Sequence, residues 1–316
     1  MPENGNRRIK IMEPGENLYM GGGILRRGDR VGLSCCSNGL LEADKGSLEL
    51  LKERLALIGL ETVESPFLYR GVTAFSGTGT QRAHALMDFY RDETVKAVFD
   101  VSGGDMANEV LTDLDFEMIS ASDKIFFGYS DLTTVINAIY TKTGKKSGLY
   151  QLRNLTGPCW QEQFSQFRET LMEGGSMLNN FSFHFLRGTR MEGTVLGGNI
   201  RCLLKLAGTQ YWPDFTGKLL FLECNGGEVP QIVAYLNQLS QIGVFCQISG
   251  ILLGTFSRME SRGLHPTVEE QLLRMIRPEL SVAKTFQIGH GSDSRCLMIG
   301  DHIRIHQALQ EQKPPA

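Results

Sequence analysis

Between Arg30 and Tyr150, short apolar runs alternate with amphipathic stretches. "RVGLSCC" (Arg30 to Cys36) is an apolar run that ends in a polar turn, and the following "SLELLKERLALIGL" repeats Leu48, Leu51, Leu55 and Ile58 at helical spacing. The pair predicts a β–α unit. Glu61 to Pro66 predicts a second strand, "QRAHALMDFYRD" a second helix, and "VKAVFDVSGG" a fully buried third strand closed by glycines. "ANEVLTDLDFEMIS" predicts a further helix, and "KIFFGYS" a fourth strand that runs straight into the amphipathic "DLTTVINAIY". Strands alternating with helices predict an α/β domain whose parallel sheet is covered on both faces, with ligands bound beyond the carboxyl ends of the strands. Gly103, Gly104 and Ser130 all fall at such ends.

The rhythm changes after Tyr150. "TGPCWQEQFSQFRETLMEGG" reads as a helical connector, and from about Gly193 the strands "GTVLGGN", "KLLFLEC", "ISGILLG", "KTFQIGH" and "HIRIH" are expected, with a helix at "PQIVAYLNQLSQIG". This predicts a second, smaller, mixed α/β domain. The expected division is 27–150 for the first domain, 151–190 for the connector and 191–310 for the second. Residues 1–26, rich in Gly, Arg and Asn and without periodicity, are expected to be a disordered leader or tag remnant; "ENLYMGGG" partly resembles a protease-tag scar without completing one.

Composition narrows the partners. The 316 residues suffice for two domains with a substantial core. Lys and Arg number 32 against 35 Asp and Glu, and no basic block could follow a nucleic-acid backbone or an anionic membrane, so a small-molecule or peptide partner is expected, with no nucleic acid and no membrane. Seven cysteines lack the spacings of a zinc site or a disulfide scaffold and read as reduced, mostly buried thiols. The chain shows neither a run of about eighteen apolar residues nor a secretory signal pattern, which makes the cytoplasm the expected location.

Three residue types could carry chemistry at these strand ends. Ser130 lies in a strand-to-helix turn that would push its side chain out of the sheet's top edge beside unpaired helix N–H groups, a placement that suits either a nucleophile or an ordinary N-cap. Among six histidines, His84 falls in a helix, His184 and His265 in expected loops, and His302 and His306 near the terminus. His290, at the end of "KTFQIGH" and between two glycines, could be a base close to another backbone or a solvated loop residue. Glu223 follows four apolar residues in "GKLLFLECNGG" and is either a strand end facing water or a buried carboxylate that needs a partner. A Ser…Glu…His order is compatible with a nucleophile, an orienting acid and a base. The glycines of "VSGGDMANE" allow backbone N–H groups to face an oxyanion, a phosphate or a carboxylate. No G-x-G-x-x-G forms there, and "GTGTQR" at Gly77 lacks both the third glycine and a convincing strand before it, which ranks a nucleotide-binding module low.

Five ordered blocks, "RRGDRVGL", "VKAVFDVSGGD", "GYSD", "GTVLGGNIRCLLKLAGTQYWPDFTGKLLFLE" and "IGHG", resemble the murein LD-carboxypeptidase family of serine peptidases, which includes the microcin C immunity proteins. The resemblance runs from about Arg27 to His306. It implies Ser130 as nucleophile, Glu223 as the acid that orients the base, and His290 as that base. It implies an oxyanion hole from the backbone of Asp131 and Gly104, with Gly103 shaping the turn and Gly103 and Asp105 contacting substrate. A Rossmann-like N-terminal domain, a smaller C-terminal domain, no metal, no cofactor and a homodimer are implied as well. Three stretches depart from the family pattern: "SCCSNG" at the first turn, "GGDMANE" at the glycine loop, which is closer to the microcin-immunity branch, and "YQLRNLTGP" after the elbow helix. No expected triad member is lost. The implied activity is hydrolysis of the amide between an L-centre and a C-terminal D-amino acid, as on a murein tetrapeptide in peptidoglycan recycling. The alternatives are an amide of an aminoacyl-nucleotide type, or a non-catalytic binding protein on the same scaffold.

Overall fold

The computed structural model describes residues 12–14, 23–71 and 74–307, and the strands within them form two sheets. The first contains β2 (Arg30–Ser34), β3 (Glu61–Glu64), β4 (Val95–Asp100), β5 (Ile125–Gly128), β6 (Ser147–Leu149) and β12 (Leu297–Ile299), in the order β12-β6-β5-β4-β2-β3. All neighbours are parallel except the edge pair β12–β6. β4 is buried at every position but Lys96, because helices cover both faces. Side chains alternate between those faces. Ala97, Phe99 and Phe127 pack with Leu48, Leu51 and Leu55 of α1 (Lys45–Leu57), whereas Val98 and Phe126 pack in the cluster that contains Leu86 of α2 (Gly79–Arg91). The rings of Phe99 and Phe127 stack at 4.6 Å.

The second sheet contains β1 (Met12–Pro14), β7 (His184–Arg187), β8 (Arg190–Asn199), β9 (Leu219–Cys224), β10 (Gly250–Phe256), β11 (Ser281–Lys284) and β13 (His302–His306), in the order β1-β13-β8-β9-β10-β11-β7. Its centre, β8 to β11, is parallel; β1, β13 and β7 pair antiparallel. The register sets Asn199 of β8 opposite Glu223 of β9 at the carboxyl ends of both strands.

Several elements differ from expectation. "ANEVLTDLDFEMIS" is not one helix: a 3-10 turn at Ala107–Asp113 precedes α3 (Phe116–Ala121), and the Asp115 carboxylate accepts the Met118 N–H at 2.9 Å. Asp115 is thus a helix start, which breaks the run. His184 lies in β7, not in a loop. "KTFQIGH" leaves the sheet after Lys284, whose ammonium is held by Gly254 O, Glu260 and Glu269, and the chain then folds back so that Arg295 N–H donates to Gln287 O at 2.7 Å. His290 therefore sits in a loop, six residues beyond the strand end. In the expected leader, β1 pairs with the open edge of β13, and the fully buried Leu25 donates its N–H to Leu171 O at 2.8 Å, so residues 12–14 and 23–26 belong to the fold. Residues 1–11, 15–22 and 308–310 lie outside the described residues.

The sheets also exchange strands across the expected boundaries, since β12 joins the first sheet and β1 and β7 join the second. Cys35, Cys36, Cys202, Cys224 and Cys296 are buried, and all seven cysteines are free thiols. Among the described residues, no helix is long and apolar enough to cross a membrane.

Close approach of β8 to β9 depends on Gly197, which has φ +118°; a Cβ there would lie 2.1 Å from Phe221 O. Gly197→Ala should cost at least about 2 kcal/mol, through the strained dihedral and the forced separation of the strands. Urea unfolding measures it, and an unchanged midpoint would show that this contact is not required.

Candidate active site

β5 ends at Gly128, and after Tyr129 the chain enters a 3-10 turn, Ser130–Leu132, that leads into α4 (Thr133–Thr143). The turn is tight: a Cβ on Gly128 would lie 2.6 Å from Leu132 Cβ. Ser130 takes up the reversal with φ +54°, the one positive φ outside glycine among the described residues. A left-handed serine costs on the order of 1–3 kcal/mol and persists only where its surroundings enforce it. Its side chain accordingly projects from the sheet edge, as an exposed nucleophile requires.

The imidazole of His290 meets this hydroxyl: Nε2 lies 3.2 Å from Ser130 Oγ. On its other side Nδ1 lies 2.6 Å from Glu223 Oε2. Glu223 is wholly buried at the end of β9; a carboxylate there accepts while His290 Nδ1–H donates, the tautomer that turns an unprotonated Nε2 toward Ser130 Oγ. The water-facing reading of Glu223 is excluded by its burial. Two further donors converge on the carboxylate. Tyr129 OH donates to Oε2 at 3.2 Å, and Asn199 Nδ2 donates to Oε1 at 3.0 Å. Burial first, and the Glu223 charge second, push the Tyr129 phenol well above its ordinary range, so it remains protonated and a donor. Its ring also meets the His290 ring edge-on, with centroids 4.7 Å apart.

Neither Tyr129 nor Asn199 is singled out by the sequence alone. Tyr129 is adjacent to Ser130, and Asn199 ends the strand "GTVLGGN" as Glu223 ends its neighbour, so the parallel pairing of two strand ends was the available signal.

The Asp131 side chain is fully buried and committed elsewhere. It accepts from Ser37 Oγ at 2.7 Å, from Ala107 N–H at 2.7 Å and from Lys205 Nζ at 2.5 Å. Its backbone follows Ser130 directly in the 3-10 turn. Gly104 has φ +137°, and a Cβ on it would collide with Asn38, 2.1 Å from Oδ1. Arg201 holds this loop from the second domain, donating to Gly104 O at 3.1 Å and to the Asp105 carboxylate, while Lys205 donates to Asp105 O at 2.8 Å. The divergent "SCCSNG" turn thus has a supporting role: Ser37 holds Asp131, and Asn38 Oδ1 accepts the Asp105 N–H at 2.8 Å. Burial pushes the Cys35 thiol up to about 11, which makes it a poor nucleophile.

Two cavities of about 300 and 330 Å³ adjoin Ser130. The first is bordered by Gly103, Tyr129, Arg153 and His290; the second by Gly104, Asp105, Asn199, Arg201 and Tyr235. Such volumes lie at the small end of ligand sites. The arrangement can move a proton from Ser130 to His290 beside space for a substrate on either side. Among the described residues, no group of three or more His, Cys, Asp or Glu is placed to hold a metal ion.

An LD-carboxypeptidase N-terminal domain model matches residues 31–151, and an LD-carboxypeptidase C-terminal domain model matches residues 192–305. A probable murein peptide carboxypeptidase of Bacillus subtilis is 30% identical over 300 residues, which cover 90% of this chain and 91% of that protein. The microcin C7 self-immunity protein MccF of Escherichia coli is 25% identical over 266 residues, 73% of this chain and 76% of its own. The structure of MccF in complex with glutamyl sulfamoyl guanosine superimposes with a TM-score of 0.78 at 21% identity, over 90% of this chain and 97% of that one, a likeness of fold.

The elbow strain can be measured without its hydroxyl. Ser130→Gly should be more stable than Ser130→Ala by about 1 kcal/mol, because only glycine adopts φ +54° freely. Equal denaturation midpoints would show that the turn relaxes to a negative φ.

Proposed function

The chain belongs to the LD-carboxypeptidase family, and on that premise we propose that it is a serine carboxypeptidase that hydrolyses the amide between an L-centre and a C-terminal D-amino acid, such as D-Ala on a murein tetrapeptide. The observation that carries this reading is the continuous chain of contacts from Ser130 Oγ to His290 Nε2 at 3.2 Å and from His290 Nδ1 to Glu223 at 2.6 Å.

In this mechanism His290 removes the Ser130 proton as Oγ attacks the scissile carbonyl. The backbone N–H groups of Asp131 and Gly104 receive the developing oxyanion. His290 then protonates the leaving amine, and a water activated by the same imidazole releases the acyl group from Ser130. Glu223 holds the tautomer and stabilises the imidazolium; Tyr129 and Asn199 keep its carboxylate in place. We place the enzyme in the cytoplasm, where seven free thiols would stay reduced, and as a homodimer on the strength of the family resemblance.

A second reading keeps the chemistry and changes the substrate to an amide of the aminoacyl-nucleotide type. The MccF-like fold favours it, as does the Tyr235 ring on the border of the second cavity, which offers a surface for stacking. Mass spectrometry of products from a murein tetrapeptide and, separately, from an aminoacyl-sulfamoyl adenosine tests the proposal. Release of D-Ala supports the carboxypeptidase, cleavage of the nucleotide amide alone supports the second reading, and intact recovery of both would leave a binding protein.

Ser130→Ala should reduce turnover by several powers of ten, since it removes the covalent route. Glu223→Gln should lose about 10²- to 10⁴-fold in kcat with less change in KM, because the carboxylate charge matters most once the imidazolium forms. Combined with His290→Ala the losses should be strongly non-additive; losses that multiply would mean that Glu223 does not act through His290.

A further inference from the structure

The cavity that contains His290 also contains a guanidinium with little to do. Arg153 borders it together with Gln151, and both lie in the "YQLRNLTGP" stretch that departs from the family pattern. Among the described residues the Arg153 side chain makes no hydrogen bond. Its nearest anion is Asp44, at 3.8 Å from Oδ1, with both side chains 34% exposed, and the other Asp44 oxygen accepts the Leu41 N–H at 2.8 Å. A pair so long and so exposed holds the guanidinium weakly. Arg201 in the second cavity is different, since Asp105 and Gly104 O already occupy it.

The placement of Arg153 is fixed despite its free donors. It belongs to a 3-10 turn, Leu152–Thr156, in which Leu152 and Leu155 are buried and turn inward, leaving Arg153 on the cavity side. Asn154 in the same turn donates to Gly291 O at 3.4 Å, which ties the turn to the loop that carries His290. The carboxylate on the cavity wall, Asp100, does not compete for the guanidinium. It is 3% exposed, and its oxygens already accept from Ser102 N–H at 2.9 Å, the Ser102 hydroxyl, Cys36 N–H at 2.6 Å and Ser34 Oγ at 3.0 Å.

The chemistry decides which part of a substrate enters this cavity. The leaving amine must receive its proton from His290, and only the first of the two cavities around Ser130 is bordered by His290. The leaving amino acid therefore occupies it, and its free carboxylate lies one carbon from that amine. A planar guanidinium with open donors suits a carboxylate better than any other anchor. We infer that Arg153 binds the C-terminal carboxylate of the leaving residue and so sets the preference for cleaving at a chain end. The inference rests on the serine-carboxypeptidase reading given above.

The test compares kcat/KM for a murein tetrapeptide ending in D-Ala with that for the same peptide ending in D-alaninamide. For the wild-type protein the acid-to-amide ratio should be about 10 to 100, the size of one charge-assisted pair. Arg153→Met should bring the ratio close to one, mainly through KM for the acid, and Arg153→Lys should keep part of it. Both substrates are read on the same sample, so partial loss of folded protein cancels in the ratio. A wild-type ratio retained by Arg153→Met would overturn the inference and leave the carboxypeptidase reading intact, as would a wild-type ratio near one with both peptides cleaved. Failure of the wild type to cleave either peptide would overturn the reading itself, and the inference with it.

Discussion

A carboxylate with no exposure to water and, among the described residues, no lysine or arginine paired with it is the constraint on which the site turns. Among the described residues, the groups that hydrogen-bond Glu223 are His290, Tyr129 and Asn199. Each comes from a different element: the loop after β11, the end of β5 and the end of β8. Burying an ionised carboxylate costs several kcal/mol unless hydrogen bonds compensate, so these donors must arrive together. Because Tyr129 belongs to the first sheet and Asn199 to the second, satisfying one anion fixes how the carboxyl ends of the two sheets face one another. A proton taken up by the imidazole would set a cation 2.6 Å from this carboxylate.

A second bond across the same seam works by the opposite means. Lys205 of the C-terminal half reaches the buried Asp131 carboxylate one residue after the strained serine, and Ser37 and Ala107 complete its shell. Here a full charge pair is used, and its function is to hold backbone. Asp131 cannot move without breaking it, so the left-handed φ of Ser130 is enforced from three directions. The glycine loop is clamped similarly by Arg201 and Asn38. The rigidity of the site thus resides in side chains other than those of Ser130, His290 and Glu223.

Much of this is legible in the sequence. The buried runs of β4 and β5, the helical spacing of Leu48, Leu51 and Leu55, and the strand-to-helix turn at Ser130 follow from local patterns of period and composition. Glu223 stood out because a carboxylate ending an apolar strand must either meet water or find partners. Tyr129 and Asn199 were invisible since their role depends on strand neighbours remote in sequence, and register is not written in either strand alone. The sequence predicts strand as far as His290 because Phe286 and Ile288 continue the apolar alternation. Phe286 is in fact 60% exposed, and the turn is imposed by the buried Lys284 cluster behind it. Arg153 carried no periodic signal; only its position relative to His290 gives it meaning.

The placement of β12 has a consequence for how the protein is made. This strand, Leu297–Ile299, closes the edge of the first sheet against β6, although nearly 150 residues separate them in the chain. While the polypeptide is emerging from the ribosome, β6 has no neighbour on that side until residues 297–299 follow it. Over that interval the first sheet exposes a row of unpaired backbone groups, the feature that invites pairing with other nascent chains. Truncation before residue 297 would leave that edge open for good, even though every residue of the first sheet's parallel core, and Ser130 with it, would be intact.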